Sequence, residues 1–296
     1  MNRRKIPVLL LMPLLLLTIL VLSSIVICVV QSLGMIPPLG LTQPTFRYFS
    51  DLLHGNTSAS SGNLMDSVGI SLYISTVSSL LSVFSGVLLC WAIITCKKAN
   101  GILQQMLTIP IMLPHLVVAL FTVFFFSQSG LCSRLLYMMG FFSSQEAFPA
   151  LLYEKNSIGI IMAYLWKGVP FVCYFVLPSM SGIDPVLYEA ADSMGAAKRK
   201  KFFHITLPIC LPAILGAFFI LLSYNFGAYE LPFLLGATSP KALPVQTYIE
   251  YTHPDLLHRP YAMAMNTIML SISFLSAFAW RWVDSIAHTR TGGDLQ

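Results

Sequence analysis

Six long apolar runs, near residues 8 to 31, 67 to 95, 105 to 127, 157 to 181, 209 to 235 and 261 to 283, leave this chain few ways to fold. A spanning helix needs about 20 mainly apolar residues, because each adds roughly 1.5 Å of rise across about 30 Å of hydrocarbon. Every run is long enough. With 56% of residues hydrophobic, 10% charged and a mean hydropathy of +0.76, one water-soluble core could not hide them. The expected fold is an all-α membrane protein with six transmembrane helices.

The first run follows Arg3, Arg4 and Lys5, continues to Val30 and lacks an A-x-A cleavage site, so it reads as a retained signal anchor. A cytoplasmic basic terminus puts Lys97, Lys98, Lys198, Arg199, Lys200, Lys201, Arg281 and Arg290 on the same side. Arg47, Arg134, Lys155, Lys241 and Arg259 are left outside. The positive-inside rule therefore predicts one orientation, with both termini cytoplasmic. Topology and the lipid surface account for the net charge of +5, without nucleic acid. The outside segments are then Ser32 to Asp66, Gln128 to Asn156 and Gly236 to Pro260. The expected organisation is an anchor and first outside loop over 1–66, a five-helix core over 67–283 and a cytoplasmic tail over 284–296, with no soluble domain before or after. Asn56-Thr57-Ser58 fits a glycosylation acceptor, a pattern short enough to occur by chance.

Cys28, Cys90, Cys96, Cys173 and Cys210 fall in or beside the apolar runs and Cys132 stands alone in a loop, so they read as packing residues, with no disulfide framework or metal site. His115 lies inside the third run. With no second ionisable group within a turn, it reads as a satisfied or interfacial histidine rather than a proton relay.

The segment EAADSMGAAKRKKFFHITLP, Glu189 to Pro208, is small-residue and basic, and it separates two apolar runs. Asp184 and Pro185 supply an N-cap and a favoured first helical residue, and Val186 to Met194 holds no helix breaker. Ala191 and Gly195, four apart, are expected on one face that admits a close partner, with Gly195 also able to turn the chain toward Lys198. Pro208 and Pro212 are expected to stop the loop and start the fifth span. An amphipathic segment held at anionic headgroups is the plainer reading.

The spacing favours a sharper one: Glu189-Ala190-Ala191, three residues, Gly195, nine residues, Ile205, one residue, Leu207-Pro208. This resembles the EAA signature of the permease subunits of binding-protein-dependent ABC importers, and the likeness in span order covers about 67–283. The resemblance implies a type I importer permease fold with a cytoplasmic coupling helix between helices 4 and 5. It implies that Glu189, Ala190, Ala191 and Gly195, followed by Ile205, Leu207 and Pro208, engage a separate ABC ATPase dimer. It also implies a second permease subunit, identical or paralogous, and an extracytoplasmic solute-binding protein, with membrane lipid around the outer faces. No G-x-x-x-x-G-K-[ST] segment occurs to cradle phosphates, so this chain is expected to be no enzyme and to bind no cofactor, ATP and Mg being used by the partner.

Within the fifth run, Tyr224, Asn225, Tyr229 and Glu230 interrupt the apolar sequence, and Lys167 in the fourth is the comparable opposite charge. A charge at membrane depth costs about 2.5–3.5 kcal/mol unless it pairs or faces a cavity. Lys167 and Glu230 either pair or line a pathway with these tyrosines and the asparagine. The segment Phe226 to Gly236, with Arg259-Pro260, resembles permeases for polyamines, iron, thiamine, phosphonates or oxyanions. Glu230 suggests a polyamine-like cargo first, while Lys167 would suit anions. The alternative class is an ATP-independent secondary transporter or channel.

Overall fold

The computed structural model describes residues 8–55, 63–95, 102–142, 144 and 147–291. Arg3, Arg4, Lys5, Lys97, Lys98, Cys96 and Asn56-Thr57-Ser58 lie outside the described residues. The helices run in order α1 (Val8–Ser32), α2 (Arg47–His54), α3 (Leu64–Thr95), α4 (Ile102–Met112), α5 (His115–Phe126), α6 (Leu131–Met138) and α7 (Ile158–Ser181). They continue with α8 (Pro185–Ser193), α9 (Lys198–Lys201), α10 (Leu207–Gly227), α11 (Glu230–Leu235), α12 (Leu243–Tyr251) and α13 (Arg259–Thr291). Six helices or helix runs among the described residues are long and apolar enough to cross a membrane. A helix satisfies its own backbone groups, which is why such sequences span lipid in this form.

The centre is a bundle of α3, α7 and α10, with α13 against α10 and α1 outermost against α13. Small residues bring the first two together. A Cβ on Gly86 would lie 2.6 Å from Val172 Cβ, and one on Gly168 would overlap the Ser82 side chain. Lipid tails are as apolar as leucine, so close backbone approach, rather than a hydrophobic force, holds such helices. Gly86→Leu is therefore expected to overpack α3 against α7 by about 1–3 kcal/mol, seen as a lower melting temperature in detergent. A melt matching the unaltered chain would contradict this packing.

The face of α3 that enters the bundle is a serine stripe, with Ser67, Ser71, Ser75, Ser78, Ser79 and Ser82 all buried. Ser78 Oγ donates to Ile74 O at 2.6 Å, and Ser71 Oγ accepts Leu243 N–H at 2.7 Å, tying α12 to α3. The described cysteines are all free thiols. Cys90, Cys173 and Cys210 sit in the apolar core of the central bundle, as packing residues would.

Three expectations need correction. The third span is broken: Pro114 has no N–H to donate and disfavours a helical Leu113, so α4 ends at Met112 and α5 restarts at His115. Pro208 opens α10 but does not stop the helix before it. Helix runs from Lys198 through a π-helical stretch, Phe202–Thr206, into α10, and the widened turn accommodates a proline that would otherwise crowd the preceding carbonyl. That span then ends at Gly227, and Ala228-Tyr229 separates it from the short α11. Beyond the sixth span, α13 continues as helix to Thr291.

Candidate functional site

The loop between α7 and α10 is rigid for identifiable reasons. Asp184 Oδ1 accepts Val186 N–H at 2.9 Å, capping α8 behind Pro185. At the other end Ala196 N–H bonds Ala191 O and Gly195 N–H bonds Asp192 O, both at 2.9 Å, which is the Schellman closure. It needs a left-handed residue, and Gly195 has φ +68°. Lys201 Nζ then reaches Asp192 Oδ1 at 2.6 Å, Tyr188 and Thr206 hydroxyls meet at 2.9 Å, and Trp91 packs at a tilt against Phe202, ring centres 5.2 Å apart. Helix, turn and return helix thus form one clasp against the end of α3.

This geometry separates the signature residues. Glu189 and Ala190 are exposed beside Val186, Leu187 and Met194, the last 80% exposed. Ala191 faces inward, 4% exposed, and Gly195 lies past the end of α8, where an added Cβ would meet open space. The expectation that Ala191 and Gly195 share a docking face is corrected: α8 stops at Ser193, so four-residue periodicity does not carry to Gly195. Ile205 and Thr206 lie in the π-helical stretch, Ile205 packing on the apolar core, and Leu207-Pro208 open α10.

A second constellation lies where the broken helices meet. Lys167 is nine residues along α7 from Ile158, about 14 Å at 1.5 Å per residue. Its ammonium donates to Leu113 O at 2.7 Å, a carbonyl released by the break between α4 and α5, and lies 3.4 Å from His115 Nδ1. Glu230 Oε2 lies 3.7 Å from the same Nδ1, and the Tyr224 hydroxyl lies 3.0 Å from His115 Nε2. Lys167 and Glu230 therefore meet through an imidazole; no direct ion pair joins them within 4.0 Å among the described residues.

Of the five residues expected on a pathway, three converge. Asn225 does not: it is buried and its amide donates to Ser78 Oγ at 3.0 Å and Ser79 Oγ at 3.3 Å, fastening α10 to α3. Tyr229 stacks on Phe233 and packs at a tilt against Tyr248, ring centres 4.9 and 4.7 Å apart. His115, read from sequence as an isolated residue, is the hub, and Tyr164 was missed altogether. Tyr164 is 2% exposed, its hydroxyl has no hydrogen-bond partner among the described residues, and it sits one turn before Lys167 on the same face of α7. Its spacing to Lys167 was the available signal.

Comparison with known proteins follows the same outline. The family described as "Binding-protein-dependent transport system inner membrane component" matches residues 78–285. The molybdenum transport system permease protein ModB of Escherichia coli (strain K12) is 22% identical over 236 residues, 75% of this chain and 94% of the relative. The sulfate transport system permease protein CysT of the same strain is 23% identical over 226 residues, 76% and 78% of the two chains. In fold, the chain resembles a bacterial ABC transporter involved in the import of the acidic polysaccharide alginate, with TM-score 0.68 and 19% identity over 94% of this chain and 97% of that one. It also resembles the MetNI methionine ABC transporter, with TM-score 0.58 and 17% identity over 76% and 95%. The family match runs from the middle of α3 into α13, most of the chain, and this protein belongs to the inner membrane components of binding-protein-dependent transport systems, the permease subunits of ABC importers.

Proposed function

We propose that this permease carries a small anionic solute along the face bearing His115, Lys167, Tyr224 and Glu230, and that α8 is the helix through which a separate ATPase drives it. The observation that carries the coupling role is the clasp itself. A short helix capped at both ends, braced by Asp192 and Lys201, holds Glu189, Ala190 and apolar side chains out on one side of the membrane. Exposed large apolar groups on a rigid helix fit a docking surface. An ATP-independent transporter or channel gives that surface no role.

One chain supplies one wall. Glu230 has a side chain 58% exposed on this subunit alone, and a carboxylate at membrane depth does not face lipid, so a second permease, identical or paralogous, completes a water-filled pathway. An extracytoplasmic solute-binding protein delivers the cargo, with the α8 side cytoplasmic. ATP-driven closure of two ATPase subunits brings two such helices together, and rigid-body rocking of the membrane bundles exposes the pathway to alternate sides. The chain holds no nucleotide or metal itself; ATP and Mg act on the partner.

Glu230 alone suggested a polyamine. With its carboxylate directed to His115 and the Lys167 ammonium on the same imidazole, the geometry favours an anion, as do relatives named for molybdenum and sulfate transport. Purification tests the assembly: a tagged chain in mild detergent should bring down an ATPase and a second permease. Recovery of the chain with no ATPase would overturn the reading.

A further inference from the structure

We infer that His115, Lys167 and Tyr224 form an anion-binding subsite that the Glu230 carboxylate borders through His115, a tethered competitor that an anionic solute displaces as it passes. This rests on the reading of the chain as a permease whose pathway follows that face.

Two helix interruptions and one continuous helix converge on the site. The α4–α5 break supplies Leu113 O and His115, α7 supplies Lys167, and the α10–α11 break places Tyr224 and Glu230 on either side of the junction. Lys167 is a three-donor group with two neighbours accounted for, the Leu113 carbonyl at 2.7 Å and His115 at 3.4 Å. It has no carboxylate within 4.0 Å among the described residues. A cation held in this way at membrane depth is only half compensated, and it is oriented to accept a further anion.

Glu230 is suited to temporary occupancy. It stands at the start of a six-residue helix that follows a break, its side chain is 58% exposed, and its contact to His115 is 3.7 Å, longer than a hydrogen bond. By contrast the buried Glu250 carboxyl lies 2.7 Å from His258, which is how this fold holds a carboxyl group it does not release. Tyr164 adds a donor. Its buried hydroxyl has no hydrogen-bond partner among the described residues and stands one turn before Lys167 on α7. Displacing a built-in carboxylate would let the site bind an anion weakly enough to let it leave, since the tether returns as a competitor.

The test uses the assembled transporter in lipid nanodiscs, titrated with sulfate against chloride at constant ionic strength, with spermidine as the opposite-charge probe and thermal stabilisation as the readout. Glu230→Gln, an exposed and isosteric change, should tighten sulfate binding about fivefold or more by removing the competing charge. Lys167→Met should abolish the sulfate response, Tyr164→Phe should weaken it, and spermidine should give none. Sulfate binding unchanged or weakened in Glu230→Gln would overturn the inference, as would no sulfate response in any variant. So would a spermidine response that Glu230→Gln removes, because Glu230 would then be a cation ligand. Co-purification of the ATPase in each preparation reports separately on the permease reading.

Discussion

Gly195→Val should cut ATP-dependent uptake about 5–30-fold while leaving the amount of chain in the membrane unchanged. Gly195 adopts φ +68° to close the Schellman turn after α8, and the space beyond its Cα is open, so the penalty is conformational, not steric. A left-handed L-residue costs about 1–2 kcal/mol, and a β-branched one at least that, which is a factor of about 5–30 in the population of the turn. When the turn opens, the Asp192–Lys201 bridge separates and Glu189 and Ala190 lose their fixed attitude to the bundle. Gly195→Asn should retain uptake within about twofold, because asparagine visits this region readily. Equal damage from valine and asparagine would mean that the glycine serves a docking partner's close approach instead of the turn, and full activity of the valine variant would remove Gly195 from coupling altogether.

His258→Ala should be the most destabilising single change on the opposite side of the membrane from α8. Glu250 is 0% exposed and its carboxyl is held by His258 Nδ1 at 2.7 Å, with Gln246 Nε2 at 3.5 Å. His258 in turn stacks on His253, ring centres 3.8 Å apart, and Arg259 lies over Tyr251 at 5.6 Å. Leaving a buried carboxyl without its hydrogen-bond partner costs about 1–3 kcal/mol, or about 2–6 °C at roughly 2 °C per kcal/mol. Glu250→Gln in the same chain should recover most of the loss, because the group left behind then carries no charge. Fluorescence-detected size exclusion after heating would measure both variants. A His258→Ala chain that melts with the unaltered one would show that the pair does not hold α12 to the turn that leads into α13.

The parts of this architecture tied to the bilayer were legible from residue order. The first, second and fourth spans fall within about three residues of expectation, because the thickness of hydrocarbon fixes how many apolar residues a helix needs. Breaks inside spans were harder, since apolar composition continues across them. Leu113-Pro114 and Ala228-Tyr229 interrupt helices without interrupting hydrophobicity. His115 looked isolated because its partners are distant in sequence, 52 residues away at Lys167 and 109 at Tyr224. Asn225 could not be told from a pathway residue, because hydrogen-bonding capacity does not reveal which neighbour a helix face meets; here it meets the serines of α3. In the loop, the role of Gly195 as a turn followed from glycine's backbone freedom, whereas the inward face of Ala191 depended on where α8 rests against the bundle.

Site-directed cross-linking addresses the central claim most directly. Cysteines placed one at a time from Val186 to Met194, in a chain whose native cysteines are replaced, should cross-link to the ATPase strongly at Ala190 and Met194, which face outward, and hardly at Ala191, which does not. ATP binding should change the yield at the outward positions. A uniformly absent cross-link in a complex that still transports, with the α8 face reactive only toward water-soluble reagents, would contradict the account.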